Sequence, residues 1–417
     1  MSLKVAIVGS GPAGCYAAEK LVREAPGAEI DVLDRMPVPY GLVRAGVAPD
    51  HQGTKAVSRV FERLFTRSGV GFLGNVEVGR DVTLEELRGL YDAVVLATGA
   101  RIDRRLGIPG EELAGVHGSG GFVGWYNCHG ERTVPDLSPE LPAVRSAVVV
   151  GNGNVALDVV RVLAKTPAEL ERSDVGTEVE AAVAAAPLEE IHVVGRRDAG
   201  STSFSVIELQ ELDALARAEP VVEAADLEGV GEPANPAALE VLRGFAGRPG
   251  AGKPVRIRFH FGAVPAECVG GARVERMRFA RRAGGELVLP ADLVVTCIGY
   301  SAADCCSARA EAGVFANVDG RIGDGLYVVG WAKRGPSGTI ATNRADSHAV
   351  AERLVREAAA SGRPGREGLL ALLAGRGTRV VDHGGWTRID AAECARAAPG
   401  RVRRKFTSLQ EMLAAAG

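Results

Sequence analysis

The chain has 417 residues and a formal net charge of −3, with 46% hydrophobic and 24% charged residues. This composition is ordinary for a globular protein of two or three domains, and the charge balance gives no reason to expect nucleic acid or a membrane surface as a partner. No apolar run reaches the roughly 18 residues that a membrane helix needs, and the seven cysteines contain no C-x-x-C pair that would indicate a metal site or a disulfide framework. Because the first strand begins at residue 5, we expect no signal peptide and therefore a cytoplasmic protein. From the cysteine spacing we expect no bound metal.

Short runs rich in Val, Ile and Leu alternate along the chain with helical patterns. These runs lie at residues 5–8, 30–33, 93–97, 147–150, 191–194, 293–296 and 326–329. Buried strands separated by helices are typical of an α/β protein with parallel sheets. Three stretches outside this pattern, 101–142, 166–189 and 219–254, are predicted as loops or excursions, the second of them a solvated helical insertion.

A glycine motif, Gly9-x-Gly11-x-x-Gly14, follows the first strand and opens the first helix. The first glycine permits a tight turn, the second lets the backbone approach a pyrophosphate, and the third lets helix and strand pack closely. Asp34 ends the second strand, twenty residues beyond Gly14. A carboxylate at that point accepts the ribose hydroxyls and repels a 2′-phosphate, which favours FAD or NAD.

A second motif, Gly151-x-Gly153-x-x-Ala156, again lies between a strand and a helix. The next strand is followed by Arg196 and Arg197, and guanidinium groups bind phosphate through forked, charge-assisted hydrogen bonds. This site therefore favours NADP. Two different nucleotides in one chain predict hydride transfer from NADPH to FAD.

The segment GPSGTIATNRADS is a glycine turn that starts a long helix. We expect the helix N-terminus, at Gly338 to Ile340, to point at the flavin ring. Partial positive charge there stabilises the anion that forms when a flavin accepts hydride.

Several longer motifs resemble the ferredoxin–NADP reductases of the adrenodoxin-reductase type, which have the glutathione-reductase fold. They are PVPYGLVRAGVAPDHQGTK (37–55), FVGWYN, GNGNVALDVVR, VGRR and GWAKRGPSGTIATNRADS, and the resemblance covers essentially the whole chain. It implies two Rossmann-like dinucleotide-binding domains. Residues 1–104 and 326–417 would form the FAD-binding domain, and residues 105–325 the NADPH-binding domain inserted into it.

The resemblance also implies which residues contact the nucleotides. Beside the glycines of the first motif, the FAD contacts would be Ala13, Asp34, Leu42, Val78, Trp331, Gly338, Thr339 and Ile340. The NADP contacts would be Asn152, Gly153, Asn154 and Val155, with Arg196 and Arg197 on the 2′-phosphate and Glu208 and Gly338 towards the nicotinamide.

Three side chains are candidates for roles in the reaction: His51, Asp158 and Glu208. Hydride transfer between stacked rings needs position rather than a protein acid or base, so we expect these groups to tune and orient. The resemblance places His51 beside the flavin and close to Glu208, where the pair would bias the flavin potential. Two alternatives stay open: a loop histidine without a redox role, and an Asp158 that either bonds near the nicotinamide or closes a local network.

The resemblance implies that single electrons pass to a small acidic iron–sulfur protein, usually a ferredoxin. Docking would use a basic surface, for which Arg59, Arg63 and Arg67 or the run Arg401–Lys405 are candidates. Asp198, directly after the arginine pair, departs from the family pattern and would weaken the preference for NADPH. The competing functions are a generic NAD(P)H diaphorase, a flavin monooxygenase, and a nucleotide-binding flavoprotein sensor without turnover.

Overall fold

The computed structural model describes residues 2–131, 133–304 and 310–417, and the chain divides into two compact units. The first unit is formed by Met1–Ile102, Asn127–Arg132 and Tyr300–Gly417, and the second by Asp103–Tyr126 and Thr133–Gly299. In the described part of the chain no helix is long and apolar enough to cross a membrane. The cysteines at 15, 128, 268, 297 and 394 are free thiols, and the adjacent pair at 305 and 306 lies outside the described residues.

The strands within the described residues are numbered in chain order. They are β1 (Lys4–Val8), β2 (Glu29–Asp34), β3 (Val70–Gly74), β4 (Ala93–Leu96), β5 (Ile102–Asp103), β6 (Val116–Gly118), β7 (Ser146–Val150), β8 (Glu190–Val194), β9 (Ala218–Val222), β10 (Val255–His260), β11 (Ala263–Gly270), β12 (Val274–Arg281), β13 (Glu286–Pro290), β14 (Leu293–Thr296), β15 (Tyr300–Ser301), β16 (Ala310–Glu311), β17 (Val314–Phe315), β18 (Arg321–Gly323) and β19 (Leu326–Val328).

The helices are numbered in the same way. They are α1 (Pro12–Glu24), α2 (Leu42–Ala45), α3 (Gln52–Lys55), α4 (Ser58–Phe65), α5 (Leu84–Leu90), α6 (Ser119–Tyr126), α7 (Asn154–Ala164), α8 (Pro167–Leu170), α9 (Thr177–Ala185), α10 (Val206–Glu211), α11 (Pro236–Ala246), α12 (Trp331–Arg334), α13 (Ile340–Glu357), α14 (Arg366–Gly375), α15 (His383–Ala395) and α16 (Leu409–Ala416).

The sheet of the first unit has the strand order β18-β19-β4-β1-β2-β3, and only β18 runs antiparallel to its neighbour. Its central strand β1 is buried on both faces: Val5 and Ile7 join one hydrophobic cluster, and Ala6 and Val8 join the other. Because both faces are covered, the strand reads as a continuous apolar run rather than an alternating one. The register brings the ends of β1 and β2 together, since Val8 lies opposite Leu33.

The sheet of the second unit has the order β6-β14-β7-β8-β10-β9, with every pair parallel. Helices cover one face, where Ala147 and Val149 of β7 point. The small antiparallel sheet β11-β12-β13 covers the other face, where Val148 and Val150 meet a cluster that includes Met277. Every strand predicted from an apolar run is confirmed. The insertion at 166–189 is helical as predicted and contains α8 and α9, but the expectation that it is solvated is wrong, because Leu170, Val179 and Val183 are buried in the core of the second unit.

Two predicted loop regions contain regular structure. The stretch 101–142 includes β6 and the helix α6, and the stretch 219–254 includes α11. In α6 the residues Phe122, Trp125 and Tyr126 are buried, so tertiary packing overrides the low helix propensity of the three glycines of this helix. α11 has a regular start, because Asn235 Oδ1 accepts a hydrogen bond from the Ala238 amide at 3.3 Å.

The observed division also differs from the predicted domain limits. The first unit resumes at Tyr300 rather than at residue 326, and it takes in the short segment that starts at Asn127. Hydrogen bonds within the unit explain both differences. The Arg101 amide donates to the Ser301 carbonyl at 3.1 Å, and Lys55 Nζ donates to Asn127 Oδ1 at 2.9 Å.

Candidate functional site: two dinucleotide turns

The turn between β1 and α1 uses its three glycines for different reasons. A Cβ on Gly9 would lie 2.3 Å from the Ala97 carbonyl oxygen, and Gly9 has φ +114°; a Cβ on Gly14 would lie 2.0 Å from the Gly9 carbonyl oxygen. The fold itself therefore excludes side chains at these two positions. A Cβ on Gly11, at the N-cap of α1, would meet no atom within 4 Å of the described chain. That open space before a helix N-terminus fits a bound phosphate.

Asp34 is held beside this turn by the first unit's own backbone. One carboxylate oxygen accepts from the Ser10 amide at 3.0 Å and from the Ser10 hydroxyl, and the other accepts from the Met36 amide at 2.9 Å. The loop that leads into α2, which begins at Leu42, reaches the same place, because the Tyr40 amide donates to the Ser10 carbonyl at 3.1 Å. Leu42 is 44% exposed, so its side chain is accessible to a ligand at this place.

The start of α12 lies against the start of α1. A Cβ on Gly330, which has φ +69°, would come within 2.5 Å of the Ala13 Cβ, so the two segments are in close contact. Trp331 follows at once; its indole nitrogen donates to the Ser337 carbonyl at 3.1 Å, and its ring is stacked with Tyr300 at a centroid distance of 6.2 Å.

The remaining candidates of the first unit lie around these segments. Thr342 Oγ1 accepts from the Thr339 amide at 3.1 Å, which closes the first turn of α13 next to Gly338 and Ile340. Val78 lies in the loop after β3 and packs, half-buried, against the cluster that contains Val8. The described residues of this unit thus offer an open helix N-terminus at Gly11, a carboxylate beside it at Asp34 and an aromatic ring at Trp331. This set of groups fits FAD.

The turn between β7 and α7 repeats the first one in the second unit. A Cβ on Gly151, at φ +141°, would lie 2.3 Å from the Cys297 carbonyl oxygen, whereas a Cβ on Gly153 would meet nothing within 4 Å among the described residues. Gly153 is again the helix N-cap, followed by Asn154 and the half-buried Val155. Asn152 Oδ1 is buried and has no hydrogen-bond partner within the described chain, a polar atom that a ligand would satisfy.

The arginine pair after β8 is exposed. Arg197 Nη2 donates to Ser203 Oγ at 3.2 Å, and the Ser203 amide donates to the Asn152 carbonyl at 2.9 Å, so this arginine is tied to the glycine turn. The Asp198 carboxylate accepts from the Ser201 hydroxyl at 3.1 Å. Arg196 is the more freely placed cation of the pair. This arrangement fits a 2′-phosphate and hence NADP.

Asp158 and Glu208 are brought together by a residue that sequence reasoning missed. Arg161 of α7 is 1% exposed; its Nη2 donates to Asp158 Oδ1 at 2.7 Å and its Nη1 to Glu208 Oε2 at 2.8 Å. A third carboxylate, Glu211, lies 3.1 Å from Nη1. The sequence did carry a signal for this network: Arg161 lies within the apolar run of α7, and a buried charge must be paired with an opposite one.

His51 belongs to the first unit, where it is half-buried at the N-cap of α3. Its amide donates to the Ala48 carbonyl at 3.0 Å, which fixes the backbone of the loop. Its expected pairing with Glu208 stays a prediction, because the two residues belong to different units.

Comparison with known proteins agrees with this geometry. Residues 3–199 match the family model described as pyridine nucleotide-disulphide oxidoreductase. The human mitochondrial NADPH:adrenodoxin oxidoreductase is 38% identical, with 98% of this chain and 91% of that protein covered. The NADPH-ferredoxin reductase FprA of Mycobacterium tuberculosis is also 38% identical, with 98% of both chains covered, and the cindoxin reductase of Citrobacter braakii is 37% identical, with 98% and 90% covered.

A solved structure of FprA in complex with NADPH superposes with a TM-score of 0.94, at 36% identity and with 100% of both chains covered. The thioredoxin reductase of T. acidophilum shares the fold more distantly, with a TM-score of 0.51, 15% identity, and 85% of this chain and 97% of that chain covered. The 36–38% identity with the adrenodoxin and ferredoxin reductases, over nearly the whole length of the chain, goes beyond a shared fold. The chain therefore belongs to the family of ferredoxin–NADP reductases of the adrenodoxin-reductase type.

Proposed function

We propose that this protein passes a hydride from NADPH to FAD and then delivers single electrons to a ferredoxin-type iron–sulfur protein. One observation carries the proposal: two dinucleotide turns in one chain differ in charge at the ribose position, with Asp34 at the first and the arginine pair at the second. An acid suits an unphosphorylated adenosine ribose, and arginines suit a 2′-phosphate. Bound FAD would supply the step from two-electron to one-electron chemistry.

In this proposal the protein's own residues bind, orient and tune. The open N-termini at Gly11 and Gly153 hold the two pyrophosphates, and Trp331 with the start of α13 supports the flavin ring. Asp158 and Glu208, fixed by Arg161, orient the nicotinamide end of NADPH. His51 tunes flavin reduction. It transfers no proton in the hydride step, because that step requires none.

The first experiment compares coenzymes and acceptors with the purified holoprotein. We expect a yellow protein with a flavin absorbance spectrum, reduction of ferricyanide with NADPH, and ferredoxin-dependent reduction of cytochrome c. Ferricyanide reduction without reduction of any ferredoxin would favour a generic diaphorase, and no NADPH oxidation with any acceptor would favour a sensor.

The second experiment tests the arginine pair. Arg196→Gln/Arg197→Gln should lower kcat/KM for NADPH by about 100- to 10,000-fold and leave that for NADH unchanged, because hydrogen bonds to charged groups are worth about 1.5–3 kcal/mol each and two are removed. Asp198→Asn, which removes the nearby negative charge, should raise the preference for NADPH. Equal losses for both coenzymes in the double variant would contradict the assignment of the 2′-phosphate site.

A further inference from the structure

Three arginines form an exposed row on α4 and the turn that follows it. Arg59, Arg63 and Arg67 recur every four residues and are all exposed, while Phe61 and Leu64 on the opposite side of the helix are buried. Residues four apart share one side of a helix, which places Arg59 and Arg63 on the same side of α4, and Arg67 follows in the turn after its C-cap. We call this set the α4 arginine row.

The row carries three positive charges against one carboxylate on the same helix, the exposed Glu62. Within the described residues none of the three arginines makes an ion pair with a carboxylate. On the neighbouring helix α1, by contrast, charges are matched: Lys20 lies 2.8 Å from Glu24 and 2.6 Å from Glu352. Lys20 is therefore neutralised by carboxylates, whereas the arginines of the row are not ion-paired within the described residues.

Helix stability does not explain the row. Like charges four residues apart destabilise a helix by a few tenths of a kcal/mol, as for Arg59 and Arg63. The helix dipole favours cations near the C-terminus but disfavours Arg59 in the first turn of α4. Val60, beside the row, is 54% exposed, so an apolar contact is available next to the charges. This combination is typical of a docking surface for an acidic protein.

The other basic candidate is used internally. Arg403 binds Asp390, and its Nη1 lies 3.4 Å from Glu393 Oε2. Lys405 is 3% exposed, and its Nζ donates to Asn127 Oδ1 at 3.3 Å. These two cations of the C-terminal run stabilise the first unit and are not presented to a partner.

We propose that the α4 arginine row, with Val60 at its edge, is the docking surface for the acidic iron–sulfur electron acceptor. The inference rests on the proposed function and adds to it the place where the acceptor binds. The row steers the acceptor by long-range attraction and holds it by short-lived ion pairs, which suits a partner that must leave after each electron.

The test compares two triple variants of the holoprotein. Arg59→Gln/Arg63→Gln/Arg67→Gln neutralises the row. Arg172→Gln/Arg256→Gln/Arg276→Gln is the matched control, because it removes the same number of positive charges from exposed arginines of the second unit that make no ion pair within the described residues. The probe is an acidic [2Fe–2S] ferredoxin, assayed through cytochrome c reduction from low to high ionic strength.

We expect the row variant to raise KM for ferredoxin about tenfold at low salt, since exposed ion pairs contribute about 0.5 kcal/mol each. Its salt dependence should flatten, while kcat with ferricyanide and the flavin spectrum stay as in the wild type. Arg63→Gln alone should give a smaller shift in the same direction. An unchanged KM in the row variant, or an equal rise in the control, would refute the docking surface while leaving the proposed function intact. A wild type that reduces ferricyanide but not ferredoxin would refute both.

Discussion

Replacing Arg161 with methionine tests the buried network that links α7 and α10. Methionine fills a similar elongated volume but leaves Asp158, Glu208 and Glu211 without their common cation. Removing one partner of a buried ion pair costs about 3–5 kcal/mol. The side chains of Asp158 and Glu208 are 16% and 17% exposed, so water can hydrate them in part, and we expect a loss near the lower limit, about 3 kcal/mol.

This loss can be measured as a shift in thermal unfolding of the second unit. For a unit of this size each 1 kcal/mol lowers Tm by about 2–4 °C, which predicts a decrease of about 6–12 °C. Differential scanning calorimetry gives the transition, and flavin fluorescence reports on the first unit separately. Arg161→Lys should lose less, because an ammonium keeps the charge but lacks the fork that reaches two carboxylates.

Two further variants decide whether the ion pairs are the cause. Adding Asp158→Asn/Glu208→Gln to the methionine variant should recover part of the lost Tm, because it removes the repulsion between carboxylates that have lost their common cation. Arg172→Met, at an exposed position, should leave Tm unchanged. An Arg161→Met protein that unfolds at the wild-type temperature would refute the reasoning, since a buried arginine with three carboxylate partners would then contribute nothing.

Three other predictions follow from the two turns and their surroundings. Gly11→Ala should abolish FAD binding and Gly153→Ala should abolish NADPH binding, with the Tm of the protein free of both nucleotides unchanged, because neither new methyl group meets protein atoms; a fall in Tm would show that the glycines serve the fold. His51→Gln should alter the rate of flavin reduction or its pH profile in stopped-flow measurements, and identical profiles would leave the histidine without a redox role. Burial lowers the pKa of His192 to about 4 and that of His260 to about 3, from an ordinary value of 6.5. Since the unfolded chain then binds protons that the folded chain does not, the second unit should lose stability as the pH falls from about 6.5 to about 3, and His192→Asn/His260→Asn should flatten this loss in calorimetry.

Much of the fold was predictable because its elements depend on local sequence. A strand that is buried on both faces must be apolar throughout, so residues 5–8 and 147–150 could be recognised directly. The glycines at 9 and 151 could be recognised as well, because a positive φ next to a carbonyl oxygen leaves no room for a side chain. The acid at 34 and the arginines at 196 and 197 could be predicted as candidate ribose contacts from their distance along the chain from these turns.

Other features depend on contacts that no local pattern carries. The glycine-rich stretch of α6 is helical because Phe122 and Tyr126 find a core to enter, which overrides propensity. The basic run at 401–405 resembles a solvated tail, yet Lys405 is buried against Asn127, far away in sequence. The return of the chain to the first unit at Tyr300 likewise depends on hydrogen bonds to distant backbone.

The sequence by itself determined the two nucleotide turns and their different charges, because each is a short-range pattern imposed by backbone sterics and phosphate chemistry. Only the tertiary structure decided which charges are free and which are already neutralised. Arg161 and Lys405 have partners that folding brings to them, whereas Arg59, Arg63 and Arg67 are left facing solvent. The physical reason is that the cost of a charge depends on its burial and on its nearest opposite charge, and both are set by residues far apart in the chain.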